Sequence, residues 1–220
     1  MQTAYTTVLE NIAAAARRSG RSPSDITLVA VTKALSAEKT AALLALGATH
    51  IGENRVQVLE AKREQLDLSG VNVHFIGSLQ ANKAKYLVGQ TALIQSVDRL
   101  SLAEEISKQA QKKSVTQDIL LEVNIGGEAQ KGGVRKDELA ALYEQVQALD
   151  GLCVKGLMAI PPFGQEEAQT REYFREMKML FDGFSDLRVL SMGMSADYRM
   201  AIEEGATMVR VGSALTSGKV

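Results

Sequence analysis

The chain of 220 residues is long enough for one large domain, and hydrophobic residues, 45% of the total, can form a substantial core. A formal net charge of −1, with charges of both signs spread evenly, excludes an extended surface for nucleic acid. One cysteine, Cys153, and two distant histidines, His50 and His74, exclude an internal disulfide and a zinc site built from cysteine and histidine.

Short apolar runs alternate with helical segments along the whole chain. After a first helix at 5–19, the sequence predicts strands at 26–32, 50–52, 71–76, 93–97, 119–125, 154–160, 187–192 and 207–211. The helices between them are predicted at 36–47, 53–68, 79–88, 98–112, 137–149, 165–184 and 196–204, with Ser36 and Asp98 as the N-caps of the helices that begin at these residues. This alternation predicts a parallel sheet, and eight units predict a compact α/β fold, a (β/α)₈ TIM barrel with an extra N-terminal helix. We expect one domain over 1–220; an open doubly wound sheet is the alternative, although no GxGxxG motif follows the first strand.

Polar residues follow the predicted strands at their carboxyl ends, where active sites of such barrels lie. Lys33 follows the first strand; an amine in a partly dry pocket can attack an aldehyde, whereas an ordinary surface lysine is the alternative. Along the last strand Val209 and Val211 alternate with Arg210, which predicts a guanidinium in the barrel mouth. Arg210 would either contact a ligand or form a structural ion pair with Glu122.

Two turns rich in glycine and serine follow the last two predicted strands. They contain Ser195 in the first and Gly212 and Ser213 in the second. Glycine lets backbone N–H groups approach an anion, the hydroxyls add donors, and the loops after strands 7 and 8 are a frequent phosphate site in these barrels. A simpler interpretation makes Ser195 an N-cap and Gly212 a turn former.

A glycine-rich segment, 126–133, follows the fifth predicted strand, which ends at Asn124. Its position predicts either an arm that covers the barrel mouth with Lys131 or a plain flexible linker. The sequence does not separate the two interpretations.

Segments along nearly the whole chain resemble the pyridoxal phosphate homeostasis proteins, also called the YggS/PROSC group. The matching segments are AVTK (30–33), IGEN with VQ (51–54, 56–57), HFIGSLQANK (74–83), SVDR (96–99), LLEVNI (120–125), GLMAIPP (156–162), LSMGMSADYRMAI (190–202) and GATMVRVGSA (205–214). No single segment is decisive, but together and in the family's order they are highly specific. The resemblance implies the barrel of the alanine racemase N-terminal domain, a fold-type III barrel that binds pyridoxal phosphate.

The resemblance also implies a cofactor and the residues that hold it. Pyridoxal 5'-phosphate would be bound covalently, as an aldimine on Lys33. The other matching positions are Ser195, Gly212 and Ser213 in the phosphate cup, Arg210 facing the pyridine nitrogen, and Asn54 and Met192 lining the pocket. An arginine at that nitrogen keeps it unprotonated, which weakens the ring as an electron sink. No metal and no catalytic residue are implied.

By resemblance, the expected function is intracellular homeostasis of pyridoxal phosphate, by binding and delivery without catalytic turnover. The alternative is an amino-acid racemase of the alanine racemase type. Racemases carry a further β-domain and a second base, and the chain stops just after the eighth predicted strand, which favours binding. A Schiff-base aldolase is a weaker third hypothesis, because its lysine would usually lie on a later strand.

The expected partners are pyridoxal phosphate and the apo-enzymes that use it, with no nucleic acid and no membrane. The start of the chain lacks the pattern of a signal peptide, and no apolar run approaches about 18 residues. We therefore expect a cytoplasmic protein, and we predict a monomer.

Several positions depart from the family pattern. Arg55 stands where a tyrosine or similar residue is usual, Ser213 where threonine is usual, and Ser78 where proline or histidine is common. Residues 215–217 replace Ile-Phe-Gly. Ser213 keeps the hydroxyl group of threonine, whereas Arg55 and the altered C-terminus change the rim of the expected pocket.

Overall fold

The computed structural model describes residues 1–217. Its strands are β1 Thr27–Val31, β2 His50–Glu53, β3 Asn72–Phe75, β4 Leu93–Val97, β5 Gln117–Val123, β6 Leu152–Ala159, β7 Val189–Ser191 and β8 Met208–Val211. All neighbours are parallel and follow chain order, and β1 pairs with β8 to close the barrel. The predicted (β/α)₈ barrel is therefore confirmed, and the open doubly wound alternative is wrong.

Helices surround this barrel in the part of the chain that the structure describes. They are α1 Gln2–Arg18, α2 Ala37–Ala45, α3 Val56–Gln65, α4 Ala84–Leu87, α5 Leu100–Lys113, α6 Leu139–Gln147, α7 Glu167–Asp182, α8 Tyr198–Glu203 and α9 Ser213–Ser217. The extra N-terminal helix α1 packs against α8 and α9. Among the described residues, no helix combines the length and apolar character needed to cross a membrane.

Helix starts agree with the sequence in one place and differ in another. The Ser36 hydroxyl accepts a hydrogen bond from the Lys39 amide at 3.3 Å, so the expected N-cap of α2 is confirmed. Asp98 was expected to cap the helix after β4, but α5 begins after Arg99. The Asp98 carboxylate instead lies 2.5 Å from the Arg99 guanidinium, which removes it from the helix amides.

Side chains along each strand alternate between two cores. Val209 and Val211 belong to the large core between strands and helices. A small apolar cluster fills the barrel itself, with Val29, Leu93, Leu120, Met158 and Met208 contributed by five strands. Met208 and Arg210 share the inward face of β8. The predicted direction of Arg210 is therefore confirmed.

Candidate functional site

A cavity of about 590 Å³ opens at the carboxyl ends of the barrel strands. It is lined by Val31, Lys33, Asn54, Ile76, Gly77, Ser78, Glu122, Ile160, Phe163, Met194, Ser195, Ala196, Arg210, Gly212 and Ser213. The residues expected to hold a cofactor lie among them, with one exception. Met192 is fully buried in the large core and does not line this cavity.

Closure of the barrel brings Lys33 beside the last turn. Ala30 of β1 is paired with Val211 of β8, so Lys33 and Gly212 lie in neighbouring strand-end turns. A Cβ atom on Gly212 would lie 3.2 Å from the Cβ of Val31, which shows how closely this turn approaches β1. Lys33 itself is exposed and lines the cavity.

A buried ion pair fixes the backbone just before Lys33. Lys62 Nζ lies 2.5 Å from Glu53 Oε1 and donates to the carbonyl oxygen of Thr32 at 2.6 Å. The Thr32 hydroxyl donates to the same carboxylate oxygen at 2.6 Å. Glu53 and Thr32 are fully buried, and Lys62 is 4% exposed. This cluster joins β1, β2 and α3 and restrains the residue that carries the chain into Lys33.

The two glycine and serine turns are joined by one hydroxyl group. Ser195 Oγ accepts hydrogen bonds from the amides of Gly212 at 3.1 Å and Ala214 at 3.3 Å. Ser195 was also interpreted as an N-cap, which is wrong, because Asp197 precedes α8 and its carboxylate accepts from the Met194 amide at 2.6 Å. Two amides that converge on one oxygen form a small cradle suited to an oxyanion.

Arg210 lies beneath this cradle, and only 3% of it is exposed. Its Nη1 donates to Ser191 Oγ at 2.7 Å and its Nη2 donates to the Ala159 carbonyl at 3.0 Å. Burial lowers the pKa of the guanidinium to about 10, and the nearby carboxylates of Glu122 and Asp197 oppose that change. Arg210 therefore stays positively charged at neutral pH, with donors left over for the cavity.

Glu122 is the acidic group of the cavity. Burial raises the pKa of its carboxyl to about 7, the charge of Asp98 raises it further, and the charge of Arg210 lowers it. The charges of Glu122 and Arg210 attract each other, but the side-chain hydrogen bonds of Arg210 go to Ser191 and Ala159, and the expected ion pair with Glu122 is absent among the described residues. A pKa near neutrality allows the carboxyl group either to donate or to accept a hydrogen bond.

Replacement of Glu122 by glutamine is expected to change how stability depends on pH. The folded-state pKa of about 7 exceeds the ordinary 4.5, so the folded protein holds this proton more tightly than the unfolded chain. Stabilisation from the neutral carboxyl is present below pH 4.5 and is lost as pH rises through 7. The side chain in Glu122→Gln stays neutral at every pH. The free energy of unfolding of this variant, relative to that of wild type, should therefore rise by about 2 kcal/mol from pH 5 to pH 8.

Urea unfolding of both proteins at several pH values measures this gain. Glu64→Gln, at an exposed position on α3, is the matched control and should follow wild type at every pH. A constant difference between Glu122→Gln and wild type across this range would contradict the raised pKa.

The segment 126–133 is an organised loop beside the cavity. The Asn124 side-chain oxygen accepts from the Glu128 amide at 3.1 Å, and its nitrogen donates to the Glu128 carbonyl at 2.9 Å. Lys131 Nζ lies 2.5 Å from Glu128 Oε2 and donates to the Pro161 carbonyl at 3.2 Å. Asn124 therefore shapes the loop, and Lys131 ties it to the end of β6.

Comparison with known proteins places this geometry in a family. The family model of the alanine racemase N-terminal domain matches residues 5–219. A pyridoxal phosphate homeostasis protein of Aquifex aeolicus is 44% identical over 94% of this chain and 93% of its own length. The chain belongs to the pyridoxal phosphate homeostasis protein family.

Solved structures agree with this family assignment. A protein of Bifidobacterium adolescentis superposes with a TM-score of 0.91 at 34% identity, covering 97% of this chain and 93% of its own. PipY of Synechococcus elongatus, solved with pyridoxal phosphate bound, has a TM-score of 0.82 at 35% identity, covering 94% and 99%. This chain and these two proteins thus share the barrel fold.

The departures from the family pattern lie around the rim. Ser78 and Ser213 line the cavity, whereas Arg55 is exposed just before α3 and is not among the lining residues. Leu215 is buried and Thr216 is exposed. The rim therefore differs from the usual pattern mainly through small hydroxyl residues.

Phe163 and Gly77 are among the lining residues that sequence reasoning missed. Phe163 is 92% exposed at the rim, and only its place after the Pro161-Pro162 break could have indicated it. Gly77 lies against β2, because a Cβ atom there would clash with the backbone of Asn54. A glycine directly after a strand was the available signal for that close approach.

Proposed function

We propose that this protein binds pyridoxal 5'-phosphate in the cavity through a Schiff base to Lys33 and serves to buffer and deliver the cofactor in the cytoplasm. One observation carries the proposal. Lys33, the turns that carry Ser195 and Gly212, and the buried Arg210 all line a single cavity of about 590 Å³. These groups are matched to an aldehyde, a phosphate and a ring nitrogen on one small molecule.

The residues fit the cofactor through their donor chemistry. The amides of Gly212 and Ala214 converge on the oxygen atom of Ser195, so a phosphate oxygen would take the place of that oxygen as their acceptor or would accept from the Ser195 hydroxyl. Ser213 lines the same part of the cavity and contributes a hydroxyl. Arg210, by donating to the ring nitrogen, keeps that nitrogen unprotonated. We assign Asn54 to the wall, and Met192 supports the β7 end from the core.

A role without turnover is supported by the relatives and by the open site. The Aquifex aeolicus relative is named as a homeostasis protein, and Lys33 is exposed to solvent. Proton transfer on a bound cofactor needs a positioned base and exclusion of water, which an exposed lysine does not provide. We therefore propose a carrier that acts as a monomer and passes its cofactor to apo-enzymes.

Titration of the apo-protein with pyridoxal phosphate tests the binding site. We expect an absorbance band of a protein-bound Schiff base, and borohydride reduction should add the mass of one reduced cofactor to the intact chain. Peptide mapping should place that adduct on Lys33. Absence of both the band and the mass increase would contradict the proposal.

Two further assays separate a carrier from an enzyme. The loaded protein should restore activity to an apo-enzyme that requires pyridoxal phosphate. The rate of this reactivation should exceed the rate with an equal concentration of pyridoxal phosphate released by denaturation of the carrier. The loaded protein should not racemise alanine faster than free pyridoxal phosphate does. Racemisation that depends on Lys33 would instead support the racemase alternative.

A further inference from the structure

A chain of polar side chains crosses the barrel interior from the cavity to its opposite end. Arg210 Nη1 donates to Ser191 Oγ at 2.7 Å, and Ser191 Oγ donates to Gln95 Oε1 at 2.7 Å. Gln95 Nε2 lies 2.9 Å from His74 Nδ1, and His74 Nε2 lies 2.9 Å from His50 Nδ1. The chain thus joins strands that are far apart in sequence, β8, β7, β4, β3 and β2.

The Gln95 side chain sets the direction of the bonds in this hydrogen-bond chain. Its Oε1 only accepts, so it takes the Ser191 hydrogen, and its Nε2 donates to His74, while Arg210 donates to the Ser191 oxygen. His74 must accept on Nδ1 and carry its hydrogen on Nε2, and it donates to His50 Nδ1. His50 likewise carries its hydrogen on Nε2, so the amide nitrogen of Asn72, 3.5 Å away and itself a donor, does not accept from it, and the hydrogen-bond chain ends at His50.

Electrostatics favours the neutral histidines that this direction requires. Burial lowers the pKa of His74 to about 3, with a further contribution from His50. Burial also lowers the pKa of His50. Both rings are therefore neutral at physiological pH, and each has one donor and one acceptor nitrogen.

This chain of hydrogen-bonded side chains does more than fill the barrel interior. Ser191 and Gln95 are fully buried and His74 is 2% exposed, at depths where apolar residues of similar size pack without a need for polar partners. The neighbouring inward positions are indeed apolar, as Leu93, Leu120 and Met158 show. The buried polar residues are those that connect to Arg210 through successive hydrogen bonds.

We propose that Ser191 and Gln95 are positioning residues for Arg210, and that His74 and His50 fix the orientation of the Gln95 amide. The second Gln95 hydrogen reaches Met208 Sδ at 3.2 Å, so the amide has a partner on each side. Through Ser191 this holds one Nη of Arg210, and the Ala159 carbonyl holds the other. The consequence for the cofactor rests on the proposed function, whereas the hydrogen-bond direction does not.

Nitrogen-15 NMR of the histidine rings in the apo-protein tests the direction without any cofactor. We expect both His74 and His50 to carry hydrogen on Nε2. Gln95→Glu replaces the amide donor by a carboxylate, so His74 should move its hydrogen to Nδ1 while the fold is kept. Hydrogen on Nδ1 of His74 in the wild type, or no change in Gln95→Glu, would overturn the inference.

Titration with pyridoxal phosphate tests the positioning role. Gln95→Met removes the acceptor of the Ser191 hydroxyl, so Ser191 no longer holds Arg210 in one position; cofactor binding should weaken about tenfold and the absorbance band should shift. Gln95→Glu keeps an acceptor for Ser191 and should lose less affinity than Gln95→Met. The matched control is Gln117→Met, because Gln117 is 2% exposed and hydrogen-bonded but makes no bond to the residues that connect Arg210 with His50.

The outcomes distinguish this inference from the proposed function. If the wild-type protein binds no pyridoxal phosphate, the proposed function is wrong, but the NMR result still tests the direction of the hydrogen bonds. Wild type that binds, together with Gln95→Met of equal affinity and spectrum, overturns the positioning role. Equal losses in Gln95→Met and Gln117→Met would overturn it as well, because they would reflect general damage to the barrel.

Discussion

Lys33→Ala is expected to abolish the reducible adduct and to weaken pyridoxal phosphate binding by about 100-fold or more, since only non-covalent contacts remain. The cradle formed by the Gly212 and Ala214 amides lies after β8, in the turn and the start of α9, so it survives the substitution. Residual binding should therefore be non-covalent, with the absorbance of the free aldehyde. Spectroscopic titration and intact mass after borohydride reduction measure both effects.

Two substitutions sharpen the interpretation of Lys33. Lys33→Arg keeps a positive charge but has no amine that can form a Schiff base, so it should also lack the adduct while retaining more affinity than Lys33→Ala. Lys39→Ala changes an exposed lysine at the start of α2 and should behave as wild type. An adduct that persists in Lys33→Ala would show that another lysine carries the cofactor.

The fold could be predicted because its signal is local and repeated. Eight apolar runs, each followed by a helix or a helix-like segment, indicate a parallel sheet without knowledge of any long-range contact. Closure was expected from the count of eight units and from the family resemblance, but the local pattern itself does not show it, because closure depends on the pairing of β1 with β8, the most distant strands in sequence. The predicted start of a helix was wrong where the expected capping side chain has another partner, as Asp98 has in Arg99.

The site could be predicted as far as strand ends and the family resemblance reach. Lys33, Arg210 and Gly212 follow from their positions after strands 1 and 8, and closure alone makes them neighbours. The bond from Ser195 to the last turn joins loops that the sequence treats as separate helix starts, so the N-cap interpretation missed it. Met192 illustrates the converse, because the segment that contains it matches the family although the residue lies in the core.

Interior polar groups were the hardest features to predict. Gln95 within an apolar strand was a signal, but its partners come from other strands and cannot be inferred from spacing. Glu53 and Lys62 were expected only as parts of a helical segment, where charged residues usually face solvent. The structure buries both of them against Thr32.

Lys62→Met is expected to lower the free energy of unfolding by about 3–5 kcal/mol, because it leaves the Glu53 carboxylate buried without its counter-charge. The second carboxylate oxygen, Oε2, already has no hydrogen-bond partner among the described residues. The Thr32 carbonyl loses its donor at the same time, which loosens the backbone that leads into Lys33. Urea unfolding measures the loss of stability, and cofactor titration measures any change at Lys33.

A surface pair provides the contrast that assigns this loss to burial. Lys108 lies 3.9 Å from Glu105, and its side chain is 75% exposed, so Lys108→Met should cost less than about 1 kcal/mol. The double variant Glu53→Gln with Lys62→Met removes the unpaired charge and should recover much of the stability lost in the single variant. If both single variants cost the same, or the double variant recovers nothing, the buried pair cannot be what holds β1, β2 and α3 together beneath Lys33.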